Sequence, residues 1–247
     1  KGVSRPALAP VMPSDDRPFM LIDCGANADC RPEMLVQFAH MGSIYMSHMF
    51  PREGGPRVGL LNVGTEDTKG GELQLATFPL LKESGLNFIG NVEGKEVPFG
   101  KCDILVTDGF TGNVLLKTIE GMGSFFSKKL KGIFKASPVS MVSALLVKNR
   151  IDDLKKSFDA SEYGGAPFLG ISRPVIKAHG SSDARAIKNA VKQAVFYHNT
   201  GIIMDISKQA TLPEDVTVSR PRTNTVKSAP KATEGEAAKE NSESESK

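Results

Sequence analysis

The sequence predicts an α/β fold with a mostly parallel sheet flanked by helices. Short apolar runs typical of buried strands alternate with longer stretches of helical periodicity, and this alternation indicates βαβ units. Of the 247 residues, 40% are apolar and 24% are charged, which is the balance of a globular chain that buries a sizeable core. A wholly disordered chain, a collagen and a disulfide scaffold are therefore excluded.

The elements follow one another along the chain. The predicted strands are Phe19–Ile22, Arg57–Asn62, Asn87–Ile89, Ile104–Thr107 and Val175–Lys177. The predicted helices are Pro32–Met49, Gly71–Ser84, Asn113–Leu130 and Asp183–Thr200. Because ligands of parallel sheets bind beyond the carboxyl ends of the strands, we expect the functional residues in the loops that follow them.

The chain changes character after Leu212. From there it consists mainly of Ala, Ser, Glu, Lys, Thr and Pro without apolar periodicity, and such a segment cannot bury enough surface to offset its ordering entropy. We therefore predict a folded domain over residues 1–212 and a disordered tail over residues 213–247.

Cysteine content, hydropathy and charge exclude several classes of protein. Three cysteines (Cys24, Cys30 and Cys102) are too few for a disulfide scaffold and indicate a reducing compartment. No uncharged apolar run reaches the roughly 18–20 residues of a membrane span. The net charge of +3 does not favour nucleic acid as a partner. The chain opens at Lys1 without a signal peptide, which we interpret as the start of a piece of a longer protein.

One segment carries the positive charge. The segment from Lys128 to Lys156 contains eight basic residues and two aspartates, which gives it a local net charge of +6. Phenylalanine, leucine and isoleucine recur there at helical spacing until Pro138, and a second apolar stretch, Val139–Val147, follows. The pattern predicts a protruding helical hairpin over about 122–158 that lies on an anionic membrane surface, packs against a second subunit or receives an acidic protein. Solvated lysines flanking a core helix are the alternative.

Four polar, glycine-bearing loops follow predicted strands. They are loop one (Asp23–Asp29), loop two (Asn62–Leu73), loop three (Asp108–Asn113) and loop four (Ala178–Arg185). A glycine before a helix lets backbone N–H groups point at a bound anion, which the helix dipole also favours. In loop two, Lys69 is suited to neutralise a phosphate, or it is an exposed lysine at a turn. No nucleotide-binding fingerprint is present.

Loops three and four offer further polar groups. Asn113 follows a glycine at a predicted helix start, where it caps the helix or binds a ligand oxygen. Ser181, Ser182 and Asp183 are likewise candidates for an N-cap. Because His179 and Arg185 flank them, these donors could instead converge on one anion.

Neither a metal nor a cofactor is predicted. Cys24 and Cys30 have no second pair of ligands, and His40 and His48 are eight residues apart, which is not ligand spacing on one helix face. Cys24 could act as a nucleophile at a helix start, although a buried, inert thiol is the more common role of such a residue.

Six segments in one order carry a more specific signal. They are LIDCGANADCRPEMLVQFAHMGSIY, RVGLLNVGTEDTKGGEL, NFIGNVEGKEV, DGFTGNVLLKTIEG, SEYGGAPFLGI and VIKAHGSSDARAIKNAV. From about Gly2 to about Ser207, the chain resembles the bacterial phosphate acyltransferases of phospholipid synthesis, the PlsX family. The family's opening section, with its Asp-Ala-Met-Gly-Gly-Asp signature, is absent here.

The resemblance implies an activity and a setting. The family transfers a fatty acyl group from acyl carrier protein to inorganic phosphate, and a glycerol-3-phosphate acyltransferase uses the acyl phosphate. The resemblance also implies a fold related to isocitrate and isopropylmalate dehydrogenases and to phosphotransacetylase. It further implies a homodimer that needs no cofactor. Such an enzyme is cytoplasmic and associates peripherally with the membrane through the hairpin.

The resemblance also assigns site residues. Lys69 and Asn113 match catalytic positions, and His179, Gly180, Ser181, Ser182 and Asp183 match a phosphate-binding loop. We expect Lys69 to hold the phosphate and Asn113 to donate to the oxyanion or orient the thioester. Acyl transfer from coenzyme A and a non-catalytic interaction module are the alternatives. A dehydrogenase is disfavoured, since its metal-binding aspartates and arginine cluster have no evident counterpart.

Overall fold

The computed structural model describes residues 2–151, 163–180 and 182–209. Its strands are β1 (Ala7–Leu8), β2 (Val11–Met12), β3 (Phe19–Ile22), β4 (Val58–Asn62), β5 (Phe88–Glu93), β6 (Ile104–Val106), β7 (Ala166–Leu169) and β8 (Ile176–Lys177). Its helices are α1 (Pro32–Met49), α2 (Glu72–Glu83), α3 (Gly109–Phe134), α4 (Pro138–Leu146), α5 (Ala184–Asn199) and α6 (Ile202–Gln209), with a short 3-10 helix at Gly94–Phe99. The predicted tail, Ser181 and residues 152–158 of the predicted hairpin lie outside the described residues.

The main sheet has five strands in the order β2-β3-β6-β4-β5. β3, β6, β4 and β5 run parallel to one another, and β2 pairs antiparallel with β3 at one edge. β6 lies between β3 and β4, with Leu21 opposite Leu105 on one side and Gly59 opposite Leu105 on the other. The predicted α/β fold with a mostly parallel sheet is confirmed.

Both faces of the main sheet are covered. Successive side chains of a strand point to opposite faces, and the buried strand residues accordingly divide between two apolar clusters. One cluster, with α1, contains Met20, Ile22, Val58, Leu60, Ile104 and Val106. The other, against the first half of α3 and β7, contains Phe19, Leu21, Leu61, Val92 and Leu105. Burial on both faces explains why these strands are apolar runs rather than alternating patterns.

A second, antiparallel sheet has the order β1-β7-β8. A strand is predicted at Val175–Lys177 and is present as β8, but it is not a buried strand of the parallel sheet. Val175 is exposed, and β8 belongs to this smaller sheet. β1, β2 and β7 are not among the predicted strands. β1 and β2 have two residues each beside prolines, and β7 contains Pro167, so periodicity gives no signal there.

Most predicted boundaries hold to within a residue, with two exceptions. β5 continues to Glu93, well past the predicted end at Ile89. The prediction stops early because the second half of the strand contains the buried polar residue Asn91 and is not a continuous apolar run. α3 begins at Gly109 rather than at Asn113 and ends at Phe134 rather than at Leu130. Its N-cap is Asp108, whose side chain accepts a hydrogen bond from the backbone N–H of Thr111.

Candidate active site

The carboxyl ends of the parallel strands meet at one edge of the main sheet. Loop one follows β3, the start of α3 follows β6, and loop two follows β4. Because β6 lies between β3 and β4, the start of α3 lies between loops one and two. Three of the four predicted loops are thereby brought to one edge of the sheet.

Loop one is organised around the carboxylate of Asp23, which is fully buried. Its Oδ1 accepts hydrogen bonds from the backbone N–H groups of Leu8 (2.9 Å) and Ala26 (3.1 Å). Its Oδ2 accepts from the backbone N–H of Asn27 (2.7 Å) and from Asn27 Nδ2 (2.9 Å). Four donors satisfy a buried carboxylate, so Asp23 holds loop one in place and has no lone pair left for a ligand.

The start of α3 packs on loop one, backbone against backbone. The Gly109 N–H donates to the carbonyl of Asn27 at 2.7 Å. A Cβ atom at Gly109 would lie 2.5 Å from the Asn27 carbonyl oxygen, and one at Gly112 would lie 1.9 Å from the Asp23 carbonyl oxygen. Only glycine fits at both positions, so this close approach fixes the first turn of α3 relative to loop one.

Loop two is tied down by two asparagines. Asn62, the last residue of β4, donates from Nδ2 to the carbonyl of Lys69 at 3.0 Å. Asn91 on β5 donates from Nδ2 to the carbonyl of Glu66 at 2.7 Å. A Cβ at Gly64 would lie 3.1 Å from Cγ of Lys69, so the aliphatic part of the Lys69 side chain lies across Gly64.

Lys69 and Asn113 are two polar side chains at this edge that hold no loop in place. Both are exposed, and within the described residues neither the Lys69 ammonium nor the Asn113 amide has a side-chain partner. Asn113 lies in the second turn of α3 beside Gly25 of loop one, where a Cβ would be 3.7 Å from that of Asn113. The prediction that Asn113 caps the helix is wrong, because Asp108 does so. The amide of Asn113 is therefore available to a ligand.

Four residues that support this edge are not among the predicted site residues, namely Asp23, Asn62, Asn91 and Asp108. The signal was present, since each is a polar residue in or just after a strand. Two buried atoms there, Asn91 Oδ1 and Thr107 Oγ1, have no hydrogen-bond partner among the described residues. Buried polar atoms are normally paired, so both are candidates for a bound water.

Loop four follows β8 of the smaller sheet. His179 and Gly180 are exposed, and the Ser182 N–H donates to the His179 carbonyl at 3.0 Å. Asp183 caps α5 by accepting from the Ala186 N–H at 2.8 Å, which confirms the N-cap prediction for this residue. Ser181 lies outside the described residues.

The charge of Lys177 relates the beginning of loop four to loop one. Burial raises the pKa of the Cys24 thiol, and the charge of Lys177 opposes that rise. Lys177 ends β8, so the beginning of loop four lies within electrostatic range of loop one. The described hydrogen bonds of Ser182 and Asp183 stay within loop four and α5, and none of them reaches Lys69 or Asn113.

The cysteines are poor nucleophiles. Burial raises the pKa of Cys30 to about 11 and that of Cys102 to about 12, and the pKa of Cys24 shifts in the same direction. A thiol that stays protonated at neutral pH attacks carbonyls slowly. In the described part of the chain, no group of three or more His, Cys, Asp or Glu side chains is arranged to hold a metal ion.

The hairpin carries exposed apolar side chains. The second half of α3 and all of α4 are largely exposed, including Phe125, Phe126, Ile133, Val139, Val142, Leu145 and Leu146. Lys129 Nζ lies 5.6 Å from the centre of the Phe125 ring. The alternative of a core helix flanked by lysines is wrong, since Phe126 is 62% exposed. None of the described helices meets the length and hydropathy of a membrane-spanning helix.

Comparison with known proteins identifies the class of fold. The chain superposes on the EutD phosphotransacetylase from Staphylococcus aureus with a TM-score of 0.50, over 79% of this chain and 55% of that one. The two sequences are only 15% identical, so the likeness concerns the fold. The predicted phosphotransacetylase-related architecture is thereby confirmed.

The sequence comparisons identify the family. The family described as "Fatty acid synthesis protein" matches residues 1–204, and the chain belongs to it. Its curated relatives include the "Phosphate acyltransferase" of Clostridium novyi, which is 50% identical over 203 residues, or 82% of this chain and 61% of the relative. That of Clostridium acetobutylicum is 51% identical over 209 residues, 85% of this chain and 63% of the relative. The chain therefore spans less than two thirds of the length of these relatives.

Proposed function

We propose that this chain is part of a phosphate acyltransferase that moves a fatty acyl group from acyl carrier protein to inorganic phosphate. The observation that carries the proposal is that Lys69 and Asn113, two exposed donors without a side-chain partner among the described residues, lie at the carboxyl edge of the main sheet. Family membership and relatives at about 50% identity named phosphate acyltransferase support the same reaction.

The chemistry needs positioning more than a nucleophilic side chain. A phosphate oxygen attacks the thioester carbonyl, an oxyanion forms, and collapse breaks the carbon–sulfur bond to release the carrier-protein thiolate and acyl phosphate. Lys69 neutralises the phosphate, and the Asn113 amide donates to the oxyanion or orients the thioester. The raised pKa values of Cys30 and Cys102 fit this direct transfer, because no thiol nucleophile is required.

Loop four completes the phosphate site in this proposal. The backbone of His179 and Gly180 and the hydroxyls of Ser181 and Ser182 supply donors to the phosphate. Asp183 contributes by capping α5, since a carboxylate repels phosphate while a capped helix start keeps the loop in one conformation.

The hairpin places the enzyme where its product is used. We assign its exposed apolar and basic side chains to an anionic membrane surface, with acidic acyl carrier protein as the second candidate for the lysines. A cytoplasmic homodimer bound peripherally to the membrane would deliver the labile acyl phosphate to a glycerol-3-phosphate acyltransferase there.

Phosphate-dependent release of thiol from palmitoyl-acyl carrier protein tests the reaction. This chain should be assayed beside a version that carries the opening section of a curated relative. Turnover by the extended version supports the proposal, and turnover with acetyl-coenzyme A instead would favour a phosphotransacetylase. If the extended protein folds and neither thioester reacts, the proposal is wrong and an interaction module becomes the better interpretation.

Lys69→Ala tests the site within the extended protein. Loss of a preorganised donor should lower turnover by roughly 10²–10³ fold while the melting temperature stays unchanged, since Lys69 is exposed. Lys82→Ala, which removes an exposed lysine of α2, is the matched control and should leave turnover unaltered. Equal turnover in the two variants would remove Lys69 from the mechanism.

A further inference from the structure

Glu66 in loop two is a carboxylate without a role in the proposed reaction. It is exposed, and within the described residues its side chain has neither a hydrogen-bond partner nor an ion-pair partner. Two other carboxylates near this edge are occupied, because Asp23 holds loop one and Asp108 caps α3. The oxygens of Glu66, in contrast, are open to a ligand.

A turn places Glu66 beside Lys69. The Glu66 carbonyl accepts hydrogen bonds from the Lys69 N–H at 3.2 Å and from Asn91 Nδ2 at 2.7 Å. The first bond closes a turn that begins at Glu66 and ends at Lys69, and the second ties this turn to β5, in which Asn91 is buried. The two side chains therefore start from backbone that the main sheet holds in place.

Both side chains lie over Gly64, which is itself buried. A Cβ atom at Gly64 would lie 2.8 Å from Glu66 Oε2 and 3.1 Å from Lys69 Cγ. Because glycine has no Cβ, the acidic and the basic side chain can lie side by side over the same backbone. No ion pair joins them in the described part of the chain, so both charged groups are presented at the carboxyl edge of the sheet.

A carboxylate beside an ammonium group distinguishes anions by their protons. An ionised carboxylate only accepts hydrogen bonds, whereas an ammonium group only donates them. Near neutral pH inorganic phosphate keeps at least one O–H group, so one phosphate ion can donate to the carboxylate and accept from the ammonium group. Sulfate carries no proton at this pH, and the same carboxylate repels it without a hydrogen bond in return.

We propose that Glu66 makes this site specific for phosphate, in that its carboxylate accepts the O–H of hydrogen phosphate while Lys69 donates to an unprotonated oxygen. The proposal rests on the proposed function, because it adds a second contact to the phosphate that Lys69 holds. Asp183 cannot make such a contact with the oxygen that caps α5.

The contact leaves the reacting oxygen of the phosphate unprotonated. That oxygen forms the bond to the carbonyl carbon of the thioester, and the carbon–sulfur bond breaks. The proton stays on the phosphoryl group, where Glu66 accepts its hydrogen bond. The two negative charges of hydrogen phosphate end as one on the acyl phosphate and one on the released thiolate, and no further reactant is needed.

Anion binding tests the proposal without turnover. Phosphate, sulfate and arsenate, which like phosphate keeps a proton near neutral pH, are titrated by calorimetry at constant ionic strength into the version of this chain that carries the opening section of a curated relative. A site that hydrogen-bonds a substrate O–H rejects an analogue without it by up to roughly 10⁴–10⁵ fold. Since Glu66 is exposed, we expect a preference of at least about tenfold for phosphate and arsenate over sulfate.

Glu66→Gln should reduce that preference to less than about threefold, because the amide has no charge to repel sulfate and can donate to it. Asp67→Asn is the matched control, since it removes the same charge from an exposed neighbour in loop two and should keep the preference. An unchanged preference in Glu66→Gln would overturn the proposal, as would an equal loss in both variants. A uniform gain in affinity for all three anions would also overturn it, because Glu66 would then only neutralise Lys69.

Thiol release from palmitoyl-acyl carrier protein separates this proposal from the proposed function. Sulfate at the concentration of phosphate should inhibit Glu66→Gln and leave the parent and Asp67→Asn nearly unaffected. Selective binding of phosphate that Glu66→Gln abolishes, without thiol release by the parent, would refute the proposed function and leave the anion specificity standing. Thiol release with equal sensitivity to sulfate in all three proteins would refute the role of Glu66 alone.

Discussion

The two halves of α3 show how one helix serves two environments. The first half packs Leu115, Leu116 and Ile119 against the second apolar cluster and anchors its first turn on loop one through Gly109 and Gly112. The second half is also rich in apolar residues, yet Phe125 and Phe126 are half or more exposed. Apolar content does not distinguish the halves. What distinguishes them is the presence of a sheet and a loop under the first half only.

Substitution of glycines in α3 should give the largest difference in stability between a packed position and an exposed position of this helix. Gly112→Ala should destabilise the protein by about 3 kcal/mol or more, because the new Cβ would lie 1.9 Å from the Asp23 carbonyl oxygen. Gly121→Ala is the matched control, with no atom within 4 Å of the new Cβ, and should stabilise by about 0.5–1 kcal/mol. Urea unfolding measures both, and effects of the same sign would contradict the comparison.

The next largest change in stability is expected at the amino end of the sheet, at Asp103, and its size should depend on pH. Asp103 accepts hydrogen bonds from Arg57 Nη2 at 3.0 Å and Arg52 Nη1 at 3.1 Å. Burial opposes ionisation of Asp103, but the hydrogen bonds and charges of Arg57 and Arg52 outweigh it, and its pKa is lowered. Asp103→Asn should therefore cost on the order of 2 kcal/mol near pH 7.

The sign of that pH dependence follows from linkage. A carboxyl with a lowered pKa stabilises the fold above its unfolded pKa of about 4 and loses this contribution as the pH falls through the folded value. The parent protein and Asp103→Asn should thus converge in stability as the pH falls below about 4. Denaturant melts at a series of pH values measure this, and a constant difference between the two proteins would contradict it.

A smaller effect is expected where α3 begins. Asp108→Ala removes the N-cap, in which Asp108 accepts from the backbone N–H of Thr111 at 2.8 Å and from its hydroxyl at 2.7 Å. The cost should be about 1–2 kcal/mol. Ser137→Ala, which removes the N-cap of α4, should change the global melting temperature much less, because α4 has no buried residue and we expect the exposed hairpin to unfold before the core. Equal losses would show that both regions unfold as one unit.

Charge reversal in the hairpin should leave stability unchanged and alter only binding. Lys128, Lys129 and Lys131 are exposed, so changing all three to Glu should not affect the melting temperature. Co-sedimentation with anionic vesicles should weaken at least about a hundredfold, since each basic residue near such a surface contributes about 1 kcal/mol. The control is a second triple variant in which Lys82, Lys188 and Lys192 are changed to Glu. Equal loss of binding in the two triple variants would refute the assignment of the hairpin to the membrane surface.

The α/β class, the parallel strands and the polar segments after the strands that carry Lys69 and Asn113 could all be predicted from the sequence. Buried strands and amphipathic helices leave periodic apolar patterns, and the family motifs add specificity that local patterns lack. The three-dimensional contacts were needed to establish that Asp108 rather than Asn113 caps α3, that β8 joins an antiparallel sheet, and that the second half of α3 is exposed. These features depend on contacts between residues distant in the chain, such as Gly112 with Asp23, and no local pattern encodes the partner of a buried or exposed face.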